Sequence, residues 1–418
     1  MEFKRENFDI AVIGGGPAGM IAAGRAAELG AKVVLIERNE RLGKKLLLTG
    51  KGRCNITHAE FDNREFLKAY GKNGKFLFPG FSVFGPQETV KFFEDRGLRT
   101  KVEQGKRIFP DKGTAFNVLH CLIDYLKQGK VVIKKYSRII DVKVVDNRIQ
   151  SIVTDNKEHM SAKNFILATG GKTFPETGST GDGFNLAKKL GHKIISLRPA
   201  ISPIKIKESW PKKLSGLALK NVKISVFQNE KKILEEIGEF LFTHFGISGP
   251  IVMDASKTID QLAGQGKVKI ILDLKPGLDS KALNERIQKD FDKNPQKIFS
   301  NSLDDLLPKS IIETAIKFSG IDADKKVSNI SKIEREKLAK TLKNMEMTFD
   351  GLLGFEHAII TAGGIDLKEI DSRTMRSKLI SNLYFAGEIL DLDGPTGGYN
   401  LQICWTTGYI AGNSAGRG

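Results

Sequence analysis

Apolar runs of strand length, set off by glycine-rich turns, organise the first part of the chain. Residues 8–13 (Phe-Asp-Ile-Ala-Val-Ile) read as a buried strand, a glycine cluster follows, and residues 20–29 form an Ala-rich helical stretch that Gly30 ends. Residues 32–37 (Lys-Val-Val-Leu-Ile-Glu) read as a second buried strand. Strand, turn, helix and strand make a βαβ unit, whose right-handed crossover builds a parallel sheet. Residues 164–169 and 383–386 are further short strands ending in glycine turns. They lie far from the first two, so this domain is expected to be discontinuous. Between them, residues 197–275 alternate like strands, as in 222–227 and 268–274, while 280–345 read as helices with Lys-rich faces and a break at Pro308. That shift predicts an inserted domain, in keeping with 418 residues being too many for one core.

Gly14-Gly15-Gly16-Pro17-Ala18-Gly19 sits between the first strand and its helix and fits G-x-G-x-x-G. Gly14 allows the tight turn, Gly16 lets a pyrophosphate approach, and Gly19 packs helix on strand. Pro17 and Ala18 open the helix, whose N-terminus faces the phosphates. The second strand ends in Glu37, 17 residues beyond Gly19, where a carboxylate can accept from adenosine ribose hydroxyls. Residues 38–57 hold six basic side chains and three glycines, a loop able to wrap a diphosphate and a flavin ring. Its candidate contacts are Arg38, Lys44, Thr49, Gly52, Arg53, Cys54 and Asn55. Cys54 reads either as a proton donor beside the flavin or as a small packing residue. Thr169 and Gly170 close one strand, and a Gly178 to Gly183 turn opens the next helix. Gly387 and Glu388 close another strand, with Glu388 able to bind ribityl hydroxyls. Gly398, Asn400, Leu401 and Gln402 lead into a final helix whose amides can stabilise charge on a reduced flavin. Glycine-rich strand ends of this number converge on one long cofactor, FAD, bound non-covalently.

Composition narrows the setting. No apolar run is long enough to cross a bilayer, and the charged residues 1–7 do not read as a signal peptide. Cys54, Cys121 and Cys404 are odd in number and lack metal-ligand spacing, which argues against a disulfide framework or a zinc site and for a reducing cytoplasm. The formal charge is +17. Residues 1–195 carry 34 Lys and Arg against 21 Asp and Glu, 196–350 carry 27 against 21, and 351–418 carry 5 against 7. Such an excess serves either polyanion binding or a solvated Lys-rich surface. Arg64, Lys68 and Lys72, spaced i, i+4, i+8, would form one basic stripe on a helix, as RNA contacts or as a solvated face.

The Gly-Arg-Cys-Asn within 44–57, Phe-Thr-His-Phe-Gly-Ile-Ser-Gly-Pro at 242–250, Thr-Ala-Gly-Gly-Ile at 361–365 and Gly-Gly-Tyr-Asn-Leu-Gln at 397–402 resemble the BaiN/RdsA-type NAD(P)/FAD-dependent oxidoreductases over nearly the whole chain. Thr-Gly-Asp-Gly at 180–183 is also similar to fumarate-reductase-type flavoproteins. The resemblance implies an α/β fold: a glutathione-reductase-like Rossmann FAD domain (1–196 and 351–418) interrupted by a β-barrel-like domain (197–278) and a helical subdomain (279–350). Val142 joins the expected cofactor-binding set. The acid after Gly387 is Glu388, where many flavoproteins have Asp. Activities in the family include ribosomal-RNA dihydrouridine synthesis, bile-acid-type reduction and amine oxidation of the aminoacetone oxidase kind.

Three functions follow as expectations. NAD(P)H reduces FAD, which passes hydride to a uridine in ribosomal RNA, with Cys54 as a possible general acid. Alternatively the substrate is a small amine or ketone, or the protein is RNA-associated with a structural FAD. No second G-x-G-x-x-G is present, so NAD(P)H would visit the flavin face transiently. His244, in a turn entering a helix, is a catalytic candidate or a structural histidine. Arg107 is a candidate for the pocket rim or a structural salt bridge.

Overall fold

The computed structural model describes residues 7–417. The chain divides into two compact units, one running through Pro199 and resuming at Ala358, the other Ala200–His357.

In the first unit, β1 (Asn7–Ile13) runs parallel to β2 (Val33–Ile36) on one side and to His159–Leu167 on the other. Val132–Lys134 extends the sheet beyond β2, and Leu383–Phe385 pairs with the far side of His159–Leu167, both in parallel. All four residues of β2 are buried. Cover on both faces explains why these strands read as unbroken apolar runs instead of alternating. Register aligns Ile13 with both Ile36 and Leu167, and Leu167 with Phe385. Four strands from three separate parts of the chain therefore end at one level, and the turns that follow them share one edge of the sheet.

The helix after β1, α1 (Pro17–Glu28), starts three residues earlier than the Ala-rich pattern suggests. Pro17 takes the first helical position, where its missing N–H has no partner to lose. The C-terminal helix Tyr399–Arg417 lies directly on α1. A Cβ at Gly408 would stand 2.4 Å from the Ala18 carbonyl oxygen, and one at Gly412 2.3 Å from that of Ala22. Glycines four residues apart thus cut a flat face on which two helix backbones meet.

The basic stripe is not a single helix face. Asn63–Lys68 is one short helix, capped by the Asp62 carboxylate accepting from the Arg64 and Glu65 amides, and Lys72 falls in a separate 3-10 turn, Gly71–Asn73. The helix stops because Tyr70 turns inward, is buried, and donates its hydroxyl to the Tyr399 carbonyl. Lys68 is moreover engaged by Glu65 at 2.6 Å.

In the second unit, Ile204–Ile206, Gly246–Ser248, Lys231–Thr243, Ala218–Gln228, Val268–Asp273 and Met345–Leu352 close an antiparallel barrel in that order. Alternate side chains, among them Ile224, Val226, Phe240, Phe242, Ile270 and Leu272, are buried, as a one-sided strand requires. Helices Ser280–Lys293, Lys309–Ser319 and Lys332–Lys343 form an excursion between the last two barrel strands.

Candidate functional site

The turn after β1 is shaped by close approach. The Gly14 amide donates to the Ile36 carbonyl at φ +108°, and a Cβ there would lie 2.4 Å from the Ala168 carbonyl oxygen. A Cβ on Gly19 would overlap the Gly14 carbonyl, whereas one on Gly16 would meet nothing within 4 Å. Gly14 and Gly19 are thus required for packing, and Gly16 leaves open space in front of α1. No side chain caps α1 at Gly16, so its first amides and dipole are available to an anion. Glu37 is buried: one carboxylate oxygen accepts from the Gly15 amide at 2.8 Å, the other from the Asn39 amide and side chain at 2.8 and 2.7 Å.

Arg38 turns away from that turn and donates to the Thr180 hydroxyl and the Asp182 carboxylate at 2.7 and 2.9 Å, tying β2 to the 178–183 turn. Lys44 stays near Glu40, at 3.8 Å. Its neighbour Lys45, which sequence reading passed over, reaches the Thr173 hydroxyl at 2.7 Å and Glu388 at 2.8 Å. Glu388 also accepts from the Thr361 amide at 2.8 Å, so the acid after Gly387 is bound into a part-buried network.

Beyond the short helix Lys44–Leu48, Gly50, Lys51, Gly52 and Cys54 are all left-handed, with φ of 57°, 56°, 82° and 60°. The Arg53 and Cys54 amides turn inward to the Gly50 and Thr49 carbonyls, and the strain at Lys51 and Cys54 is of the kind that collects at functional loops. Thr49 bonds back to the Leu46 carbonyl. Arg53 stacks on Phe109 and pairs with Glu103. Cys54 is wholly enclosed by protein, and burial pushes its thiol up to about 12. That geometry suits packing and not proton donation. Asn55 has a buried side-chain oxygen without a hydrogen-bond partner, and so does the Thr169 hydroxyl, next to Gly170.

The final glycine turn closes on the same loop. A Cβ on Gly398 would lie 2.4 Å from the Thr57 carbonyl carbon, so only glycine lets these backbones touch. Asn400 holds the turn, accepting from the Gly394 amide and donating to the Gly394 and Pro395 carbonyls. The Gln402 side chain is buried and saturated by Thr57, Thr89 and Thr406, while its amide bonds Gly398, so it shapes the helix start from within. Leu401 packs half-buried on the core, and Val142 does so from the hairpin strand Ile139–Val145. His58 carries no sequence motif. It points Nδ1 at the Gly397 carbonyl, 3.2 Å away, and stacks on Tyr399 at 4.7 Å. Burial holds its pKa below the usual histidine value against the pull of that carbonyl. His244 lies in the other unit, exposed beside Phe245.

The open Gly16 cradle, the uncapped α1 and the unpartnered Asn55 and Thr169 oxygens fit a long ligand with an anionic centre and a polar ring. Among the described residues no helix is long and apolar enough to cross a membrane.

Comparison with known proteins agrees with this fold. The chain is 32% identical to a 3-dehydro-bile acid delta(4,6)-reductase of Clostridium scindens over 97% of this chain and 98% of that one. It is 30% identical to a ribosomal RNA dihydrouridine synthase of Haemophilus influenzae, over 97% and 98%. A flavocytochrome c3 fumarate reductase structure matches with a TM-score of 0.50 and 18% identity, covering 99% of this chain and 78% of that one, a likeness of fold alone. The family model described as HI0933-like protein Rossmann domain matches residues 8–414. With its Rossmann FAD fold, the chain belongs to the HI0933-like family of flavoprotein oxidoreductases.

Proposed function

We propose that this protein is an FAD-dependent reductase that adds hydride and a proton across the 5,6 double bond of a uridine in ribosomal RNA, giving dihydrouridine in the cytoplasm. FAD, when bound, supplies the hydride and is recharged by NAD(P)H. The chain's residues do the holding. The α1 amides at Ala18 and Gly19, with Gly16 open before them, take the diphosphate, and Glu37 takes the ribose. The left-handed loop at 50–54, Asn55, Thr169 and the amides at Asn400 and Leu401 border the ring, with Lys45 and Glu388 beside the ribityl chain. Neither enclosed Cys54 nor exposed His244 is assigned the proton.

The observation that carries the choice of substrate is the +17 charge, which a small-molecule reductase does not need and an RNA enzyme uses on phosphates. Two relatives named ribosomal RNA dihydrouridine synthase, at 30% and 27% identity over 97% of this chain, support the reading. A second reading, reduction of a small conjugated ketone, is favoured by the relative named as a bile acid reductase. Both reactions put hydride on a carbon–carbon double bond activated by a carbonyl. The test is to incubate unmodified ribosomal RNA with purified protein and NAD(P)H and map uridine masses. A uridine that gains two hydrogens is expected. No such gain, with brisk turnover of an enone, would transfer the assignment to the second reading.

A further inference from the structure

The small antiparallel sheet beside the candidate flavin loop has a face that the cofactor reading leaves unused. Its strands are Thr57–His58, Arg107–Pro110 and Thr100–Glu103. Register sets His58 and Glu103 opposite Arg107, and Lys101 opposite Phe109. Directly paired residues point to the same side, and so do residues two apart along a strand. One face therefore bears His58, Arg107, Lys101, Glu103 and Phe109. The opposite face is turned to the core at Thr57 and Ile108, which are buried, and runs out to solvent at Val102.

Arg53 completes the outer face from the neighbouring loop. Its guanidinium lies 4.3 Å over the Phe109 ring and is held by Glu103 at 2.6 Å, which fixes a flat cationic plate. Arg107, read from sequence as a rim residue or a salt bridge, has no ion-pair partner among the described residues, and neither has the exposed Lys51. From residue 99 to 112 the chain holds five Lys and Arg against Glu103 and Asp111. The face ends at the final glycine turn, where His58 meets the Gly397 carbonyl and the Tyr399 ring. The cations are thus arrayed next to the turn proposed to border the flavin, and not merely scattered over the molecule.

We infer that this face is the RNA-docking surface: Arg107 and Lys101 neutralise backbone phosphates beside the target nucleotide, and the Arg53 plate on Phe109 stacks an unpaired neighbouring base. Lys101 and Arg53 share the one Glu103 carboxylate, at 3.3 and 2.6 Å, and Arg107 has no ion pair, so the face keeps an excess of positive charge for a phosphate chain, while the held guanidinium plane offers a stacking platform that single-stranded RNA uses. The inference rests on the ribosomal-RNA reading above, and adds where the RNA sits.

The test measures binding of a fluorescent, unmodified ribosomal-RNA transcript to the FAD-loaded protein from low to high salt, for wild type and for the double variant K101Q/R107Q. Each lost single-strand phosphate contact removes roughly 0.7 from the slope of log K against log salt, so the variant's slope should be shallower by roughly 1.4. Its flavin absorbance and FAD content should match wild type, which shows that it is folded, and R107K should keep the wild-type slope. An unchanged slope in K101Q/R107Q, while wild type binds the transcript and forms dihydrouridine, overturns the docking surface and leaves the substrate assignment standing. Absence of dihydrouridine with the wild type defeats the substrate assignment itself. Loss of binding to anionic phospholipid vesicles, with RNA binding untouched, would also overturn the inference.

Discussion

Replacing Glu37 by alanine should damage the protein twice, and the two effects can be separated. The carboxylate accepts from the Gly15 amide, the Asn39 amide and the Asn39 side chain, all between 2.7 and 2.8 Å. Asn39 also donates to the Thr177 carbonyl, so its side chain keeps a partner. The two backbone amides do not. Hydrogen bonds to a charged, buried acceptor contribute about 1.5–3 kcal/mol each, so two amount to about 3–6 kcal/mol, and water entering the vacated space brings the expected loss to the lower end, ~3 kcal/mol. Urea unfolding of the FAD-free protein should show that loss without any cofactor. The second effect is on FAD. A lost ribose acceptor and a slack Gly15 turn should weaken FAD by at least ~1.4 kcal/mol, or about tenfold in Kd, read by titrating the apoprotein and following flavin fluorescence. Glu37→Gln should lie between, because its amide group presents a donor where an acceptor is needed. If Glu37→Ala unfolds like wild type when FAD-free, the buried network is not what holds the turn. If FAD titrates unchanged as well, Glu37 has no part in the site.

Two further outcomes follow from packing and burial. Gly412→Leu should cost about 3 kcal/mol, the upper end for overpacking, because the clash is with the Ala22 backbone, which cannot step aside as a side chain can; thermal unfolding within a degree of wild type would refute the close helix contact. His192 is buried between Glu369 and the Ser377 hydroxyl, and burial lowers its pKa below the ordinary 6.5 despite Glu369. The unfolded chain then binds the extra proton first, so this group's contribution is intact above about pH 6.5 and is lost as pH falls through the lower folded value. Urea midpoints at about pH 7.5 and about pH 5.5 should therefore differ more for wild type than for His192→Gln, and an equal difference would exclude His192 as the source.

The cofactor half of this protein was legible because its chemistry is local. A strand, a G-x-G-x-x-G turn, a helix and an acid at the end of the next strand lie within thirty residues, and Gly14 and Gly19 make the close backbone contacts read for the turn while Gly16 faces open space. Lys45 was missed because its importance comes from Thr173 and Glu388, 128 and 343 residues away, and the neighbouring Lys44 looks identical in sequence. His58 carries no motif; only the pairing of its short strand brings it to the Gly397 carbonyl.

Spacing misled where it assumed continuity. Arg64, Lys68 and Lys72 share a face only if one helix runs through them, and the inward turn of Tyr70 ends it. Gln402 was read as offering its amide to a cofactor, but that amide bonds the Gly398 carbonyl, and its side chain is held by three buried threonine hydroxyls from two other segments and its own helix. By itself, then, the sequence determined the strands, the glycine turn and the charge, because apolar periodicity and backbone freedom act between neighbours along the chain. Which polar side chains remain free for a ligand, and which cations stand together, was decided only by the tertiary structure, since hydrogen bonds and ion pairs are made between residues that folding brings within about 3–4 Å of one another.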